Sequence, residues 1–284
     1  MNAIVTGGTG FLGKALVREL ACKGYVITAL VRPNSRRLCN LNDLPCVNVV
    51  ETTLDSIPSL PCDKYDVFYH LAWGGNRNDS NVQFTNVGIT LSCLYTAAKH
   101  KCKRFICTGS QAEYGEASEL ITEEKPVNPI TSYGAAKVAA YYLSRDLAVQ
   151  LGIEHVWTRV FSVYGDHDNS NTLYTQLITA LRNGTDYSLS SDGRHTWNYL
   201  HETDAARALR RLSEEKINAG IYNVASRESQ PLYLYVDALI KKINPSANIT
   251  YGSVKENTNL NVCVDKLRNT IGEYEQTIFP CINV

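Results

Sequence analysis

The sequence predicts an α/β fold: a doubly wound parallel sheet with helices on both faces, and a smaller mixed α/β region on its C-terminal side. Three observations predict it. Through the first part of the chain, short apolar runs alternate with stretches whose apolar residues recur at helical spacing, the signature of successive βαβ units. A glycine-rich loop joins the first run to the first helical stretch. After Gly165 the alternation gives way to shorter, mixed elements.

Asn2–Thr6 reads as the first strand. Phe11, Leu12, Ala15, Leu16 and Leu20 then lie on one helical face, and Gly24 ends that helix. Tyr25–Val31 and Val47–Glu51 are the next two strands, and Tyr65–Leu71 is the fourth, with Asp66 at its start. A helix is expected over Val82–His100, a fifth strand over Arg104–Thr108, a helix over Tyr133–Gln150 and a sixth strand over Glu154–Phe161. Beyond them come a helix at Leu173–Leu181, short strands at Tyr187–Leu189 and Trp197–Leu200, and a helix at Thr203–Leu212. The remainder is less periodic. No repeat, low-complexity stretch or flexible linker interrupts the chain.

The composition bounds the function. Lys plus Arg and Asp plus Glu number 28 each in 284 residues, so the net charge is zero with His neutral. That balance argues against nucleic acid as a partner, which usually needs a basic surplus. With 44% hydrophobic and 20% charged residues, the chain can bury a sizeable core without disulfides. Nine cysteines form no CxxC pair and lie at no finger spacing with histidine, so no metal site is expected. They read as free thiols, mostly small buried hydrophobes. There is no signal-like start and no apolar run near the ~20 residues of a membrane span, so the expected location is cytoplasmic, with no membrane partner.

Thr6-Gly7-Gly8-Thr9-Gly10-Phe11-Leu12-Gly13 places Gly7, Gly10 and Gly13 at GxxGxxG spacing between strand and helix. Such glycines allow a tight turn, backbone approach to a pyrophosphate and close helix–strand packing, while the helix N-terminus offers free N–H groups. In this strand-loop-helix setting the motif predicts a Rossmann-type dinucleotide-binding domain over residues 1–165. Residues 166–284 then form a smaller substrate region interleaved with it. An NAD-preferring site usually carries an acidic residue near the end of the second strand. Here Arg32 stands there, followed by Arg36 and Arg37. A guanidinium pairs with a 2′-phosphate, so NADP(H) is the preferred cofactor, with NAD(H) the other candidate.

Tyr and Lys four apart on a helix share a face, and an ammonium beside a phenol makes it a usable acid or base. With 17 tyrosines, chance alone supplies about one such pair. The chain has three: Tyr95–Lys99, Tyr133–Lys137 and Tyr251–Lys255. Context selects the second. Tyr133 opens a helix after a Pro-containing loop, and that helix follows the fifth strand, so its start lies near the carboxyl edge where α/β sheets bind ligands. Ser110 sits just beyond the same strand. Tyr95 is late in its helix, and Tyr251–Lys255 contains Gly252 and lies outside the nucleotide half.

With these residues in hand, the chain resembles the extended short-chain dehydrogenase/reductases, in the NAD(P)-dependent epimerase/dehydratase group that acts on nucleotide sugars. The carriers are the glycine loop, His70-Leu71-Ala72, Asn86-Val87, Thr108-Gly109-Ser110-Gln111-Ala112-Glu113-Tyr114-Gly115, Ser132-Tyr133-Gly134-Ala135-Ala136-Lys137, Arg159-Val160-Phe161-Ser162-Val163-Tyr164-Gly165 and Tyr199-Leu200-His201. The resemblance implies that Tyr133 exchanges a proton with a sugar oxygen while hydride moves to or from nicotinamide. It implies that Lys137 holds the nicotinamide ribose and that Ser110 hydrogen-bonds the sugar oxygen. It places Thr6, Gly7, Thr9, Gly10, Phe11, Leu12, Gly13, Arg32, Leu54, Leu71, Ala72, Thr108, Tyr133, Lys137 and Phe161 around the cofactor. Trp73, Gln111, Ser162, Arg194 and Trp197 are expected on the substrate side. By analogy, Leu91–Ala98 and Ala139–Leu147 would pair across a homodimer.

Three departures sharpen the expectation. The 4,6-dehydratases carry Asp-Glu directly after the catalytic hydroxyl, where this chain has Gln111-Ala112, which argues against elimination of water. Ser162 stands where many relatives have Asn, and Trp197-Asn198 where many have Arg-Asp, so Arg194 or Arg182 would have to meet a diphosphate. The resulting expectation is reduction of a 4-keto-6-deoxy sugar nucleotide. A nucleotide-sugar 4-epimerase using the same Ser, Tyr and Lys is the alternative, and a non-catalytic dinucleotide sensor a third.

Overall fold

Strands and helices alternate from the start of the chain: β1 (Asn2–Thr6), α1 (Phe11–Cys22), β2 (Val26–Val31), β3 (Val47–Glu51), β4 (Val67–His70), α2 (Ser80–Lys99), β5 (Arg104–Ser110), α3 (Ser132–Leu151) and β6 (Glu154–Val160). There follow β7 (Val163–Tyr164), α4 (Leu173–Asn183), β8 (Tyr187–Ser191), β9 (Thr196–Trp197), β10 (Leu200–His201), α5 (Glu202–Glu214) and β11 (Gly220–Val224). The last elements are β12 (Gln230–Pro231), α6 (Leu232–Ile243), β13 (Ile249–Val254) and α7 (Asp265–Ile271). The computed structural model describes residues 1–281 apart from 55, 56, 58, 59, 62, 63, 167, 257 and 275.

Seven strands form one parallel sheet in the order β11-β6-β5-β4-β1-β2-β3. Its strands alternate between two cores, because successive side chains leave a strand on opposite faces. Ala3, Val5, Val67, Tyr69, Ile106 and Val156 face a cluster built with α1 and α5. Ile4, Phe68, Phe105, Cys107 and Trp157 face a second cluster built with α2 and α3. Covered on both faces, the central strands read as near-continuous apolar runs. Among the described residues no helix is long and apolar enough to cross a membrane.

Two differences from the sequence reading arise from buried polar groups. β11 lies in the stretch that reads as less periodic, yet it completes the sheet beside β6. Its Asn223 is fully buried, and distant groups satisfy it: Tyr114 Oη donates to Asn223 Oδ1 at 2.7 Å, and Asn223 N donates to Glu123 at 2.8 Å. A polar residue inside so short a strand hides its period. The single strand expected over Trp197–Leu200 is two strands, split at Asn198. That side chain is fully buried; it donates to Ser226 O and Ser229 Oγ, each at 2.9 Å, and accepts from Ser226 N at 2.8 Å. Thr196–Trp197 therefore pairs with Gln230–Pro231, while Leu200–His201 pairs with Val163–Tyr164.

The last described segment straps this region together. Thr277 N donates to the buried Asp204 at 2.7 Å, and the Phe279 ring sits among Tyr164, Tyr174, Tyr199 and Tyr235, with centroids 4.8 to 6.2 Å away.

Candidate functional site

The loops after β1, β4, β5 and β6 meet at the carboxyl edge of the sheet, and the glycine loop floors this edge. Gly7 has φ +73°, and a Cβ there would stand 2.7 Å from Ala72 N. A Cβ on Gly13 would stand 2.0 Å from Gly7 O, so α1 packs against the loop only because that carbon is absent. Thr6 Oγ1 bonds His70 Nδ1 at 2.8 Å and accepts from Ala72 N at 3.3 Å, which fastens the loop after β4 to β1. Gly10 caps α1 without a side-chain acceptor, so the first-turn N–H groups of Phe11 and Leu12 are left for a ligand. A cradle of this form fits a dinucleotide pyrophosphate.

The segment after β2 closes on the same loop through Asn40 Nδ2, which donates to Thr9 O at 3.1 Å. Arg32, Arg36 and Arg37 are exposed on it, and none forms an ion pair with the described residues. Leu54 is half-buried against the α2–α3 core.

Local sequence explains how α3 presents its first turn. Thr131 caps the helix by accepting from Gly134 N at 3.1 Å. A Cβ on Gly134 would lie 2.4 Å from Ala112 O, so the helix start presses against the turn that follows Ser110. Lys137, one turn on, is 2% exposed. Its Nζ donates to Thr108 O at 2.6 Å and lies 3.6 Å from the centre of the Trp73 ring and 5.8 Å from that of Tyr133. The ammonium keeps a carbonyl and an aromatic face in place of water. Trp73 is itself fixed by donating Nε1 to Gln83 at 2.7 Å, and it meets the Tyr133 ring edge-on at 6.1 Å. Burial first, and the Lys137 charge second, push His70 down to about 3, so it stays neutral beneath the site. Of the other two Tyr–Lys pairs, Tyr95 and Lys99 are exposed on α2, and Tyr251 and Lys255 lie at β13, also exposed.

Ser110 ends β5, two residues beyond the strand end expected from sequence. Its Oγ accepts from Ala112 N at 3.2 Å. Glu113 does not face the open edge. It is fully buried, and its carboxylate accepts from Ser110 N at 2.8 Å, Trp157 Nε1 at 2.9 Å and Arg159 Nε at 2.7 Å.

The residues expected on the substrate side divide. Gln111 Oε1 accepts from Ser162 Oγ at 3.4 Å, which joins the loops after β5 and β6. Trp73 instead covers the Lys137 ammonium. Phe161, expected at the cofactor, is 3% exposed and packs against Tyr114. Trp197 is half-buried between two apolar clusters, and Arg194 lies exposed in the loop before β9. Sequence reasoning missed Arg77. Its guanidinium lies 4.6 Å from the Tyr133 ring centre, and its carbonyl accepts from Tyr133 N at 3.1 Å. Nothing local in the sequence signals a contact between residues so far apart.

The sequence profile of the NAD dependent epimerase/dehydratase family matches residues 3–225. The chain belongs to this family. It is 26% identical, over 88% of its own length and 94% of the relative's, to a dTDP-6-deoxy-L-talose 4-dehydrogenase (NAD(+)) of Aggregatibacter actinomycetemcomitans. It is 25% identical to UDP-glucose 4-epimerase 4 of Oryza sativa subsp. japonica, covering 84% of this chain and 76% of that one. Among solved structures, a UDP-glucuronic acid 4-epimerase of Bacillus cereus in complex with NAD superposes with a TM-score of 0.86 at 23% identity, covering 98% and 94% of the two chains. That likeness shows the shared fold of this family member.

Proposed function

We propose that this epimerase/dehydratase-family protein reduces the 4-keto group of a 4-keto-6-deoxy sugar nucleotide, with NADP(H) as cofactor. The observation that carries the redox reading is the meeting of Tyr133, Lys137 and the Ser110 turn beside the glycine cradle. A bound nicotinamide supplies the hydride. Tyr133 gives the proton to the C4 oxygen, Ser110 hydrogen-bonds that oxygen, and Lys137 holds the ribose while keeping a positive charge beside the phenol. The resemblance to a 4-dehydrogenase of a 6-deoxy sugar nucleotide along most of its length supports this substrate class. Arg32, Arg36 and Arg37, exposed and without an ion pair among the described residues, support a 2′-phosphate. Elimination of water is disfavoured, because Gln111-Ala112 carries no carboxylate and Glu113 is turned into the wall.

A 4-epimerase is the second reading, favoured by the similarity to a UDP-glucose 4-epimerase. Stoichiometry separates the two. The reductase oxidises one NADPH for each dTDP-4-keto-6-deoxyglucose consumed. Interconversion of UDP-glucose and UDP-galactose without net cofactor oxidation would sink it. In either case the exposed Phe84 and Tyr95 of α2 and Tyr142, Leu143 and Val149 of α3 support pairing with a second copy. Sedimentation at micromolar concentration tests that pairing. The free cysteines fit a reducing cytoplasmic setting.

A further inference from the structure

Glu113 lies three residues beyond Ser110, yet the proposed chemistry makes no use of its carboxylate. We infer that Glu113 is the positioning residue for Ser110, locking the serine and the start of α3 into one frame; this rests on the reading of Ser110 as a partner of the reacting oxygen. As the last residue of β5, Ser110 turns its N–H to Glu113 Oε1 at 2.8 Å. The same carboxylate is gripped from β6 by Trp157 Nε1 at 2.9 Å and Arg159 Nε at 2.7 Å. Arg159 is 3% exposed, so the two charges compensate each other out of contact with water. The Glu113 carbonyl accepts from Asn128 N at 3.1 Å, which ties down the loop leading to Tyr133. Between them, Ala112 O meets the bare face of Gly134. Gly109 leaves room for the network, since a Cβ there would stand 2.2 Å from Trp157 Nε1 and 2.4 Å from Glu113 Oε1.

A buried ion pair adds little net stability over apolar packing of the same volume, so the role that fits this one is geometric. The carboxylate holds three partners by hydrogen bonds, one at the end of β5 and two on β6. A serine that must meet a sugar oxygen at hydrogen-bond distance needs its backbone fixed within a fraction of an ångström.

The test is a double-mutant cycle between Glu113→Gln and Ser110→Ala, assayed with NADPH and dTDP-4-keto-6-deoxyglucose and with UDP-glucose. Glu113→Gln lowers kcat by about 10- to 100-fold, while KM and cofactor affinity stay within about threefold. In the Ser110→Ala background the same substitution changes kcat by less than about threefold, because the group it positions is gone. Hydrogen exchange gives a readout independent of turnover: the Ser110 amide loses its protection in Glu113→Ala, which offers it no acceptor. Equal kcat losses in both backgrounds, a loss confined to KM, or an amide that stays protected overturns the inference. A neutral Ser110→Ala overturns instead the reading beneath it. Should Glu113→Gln fail to fold with Arg159 uncompensated, Trp157→Phe removes one donor and keeps the ion pair. It gives a smaller kcat loss, again absent without Ser110, and an equal loss in both backgrounds overturns the inference.

Discussion

Tyr133 is the side chain on which the proposed chemistry turns, and a phenylalanine there keeps its ring contacts with Trp73 and Arg77 while removing the proton carrier. Tyr133→Phe should lower kcat by a factor of about 10² to 10⁴, the usual worth of general acid catalysis, with little change in melting temperature. An unchanged kcat on the true substrate would remove the basis of the whole assignment. Arg32 offers a test of cofactor choice. Arg32→Asp should cut kcat/KM for NADPH by at least about tenfold and favour NADH, because a carboxylate repels a 2′-phosphate and accepts from a 2′-hydroxyl. Equal use of both cofactors by the two proteins would show that Arg32 is only a solvated charge.

At the scale of elements, legibility in the sequence follows contact distance along the chain. The glycine loop and the Tyr133–Lys137 pair are local patterns, each within one turn or one helix start, and the sequence shows them. Glu113 meets Arg159 across 46 positions, and Asn223 meets Glu123 across 100. Such pairs leave no local period, so β11 and the orientation of Glu113 come only with the fold. The short strands β9 and β10 make the same case, because their separation depends on one buried amide. Asn198→Ala leaves the Ser226 N–H without its side-chain acceptor and should cost about 1–3 kcal/mol. Denaturant unfolding checks this, and a change below about 0.5 kcal/mol would show that the loops hold themselves.

For the whole molecule, buried titratable groups set opposing dependences of stability on pH. Burial brings His70 to about 3 and His155 to about 4 from an ordinary 6.5. Their unfolded forms bind protons first, so stability is complete above about 6.5 and drains as the pH falls toward 4 and 3. Glu202 behaves oppositely. Burial first, then the neighbouring Asp166, raises it to about 7, so its contribution is complete below about 4.5 and is lost as the pH rises through 7. Glu202→Gln should therefore raise the melting temperature at pH 8 and leave it unchanged at pH 4. Each unit of pH over which one proton separates the two states is worth about 1.4 kcal/mol. Equal effects at both pH values would locate the gain in packing instead.

The late position of β11 in the chain bears on synthesis at the ribosome. When residue 165 has been joined, every loop proposed to touch a dinucleotide exists, but one flank of β6 has no neighbour and α1 lacks the α5 cover over its apolar face. Both arrive only with Glu202–Glu214 and Gly220–Val224. A nascent chain halted at 165 should thus present an unpaired, apolar strand edge, the kind of surface that aggregates. Release of residues 1–165 alone should give insoluble material, whereas release after about residue 225 should give a sheet complete on both flanks.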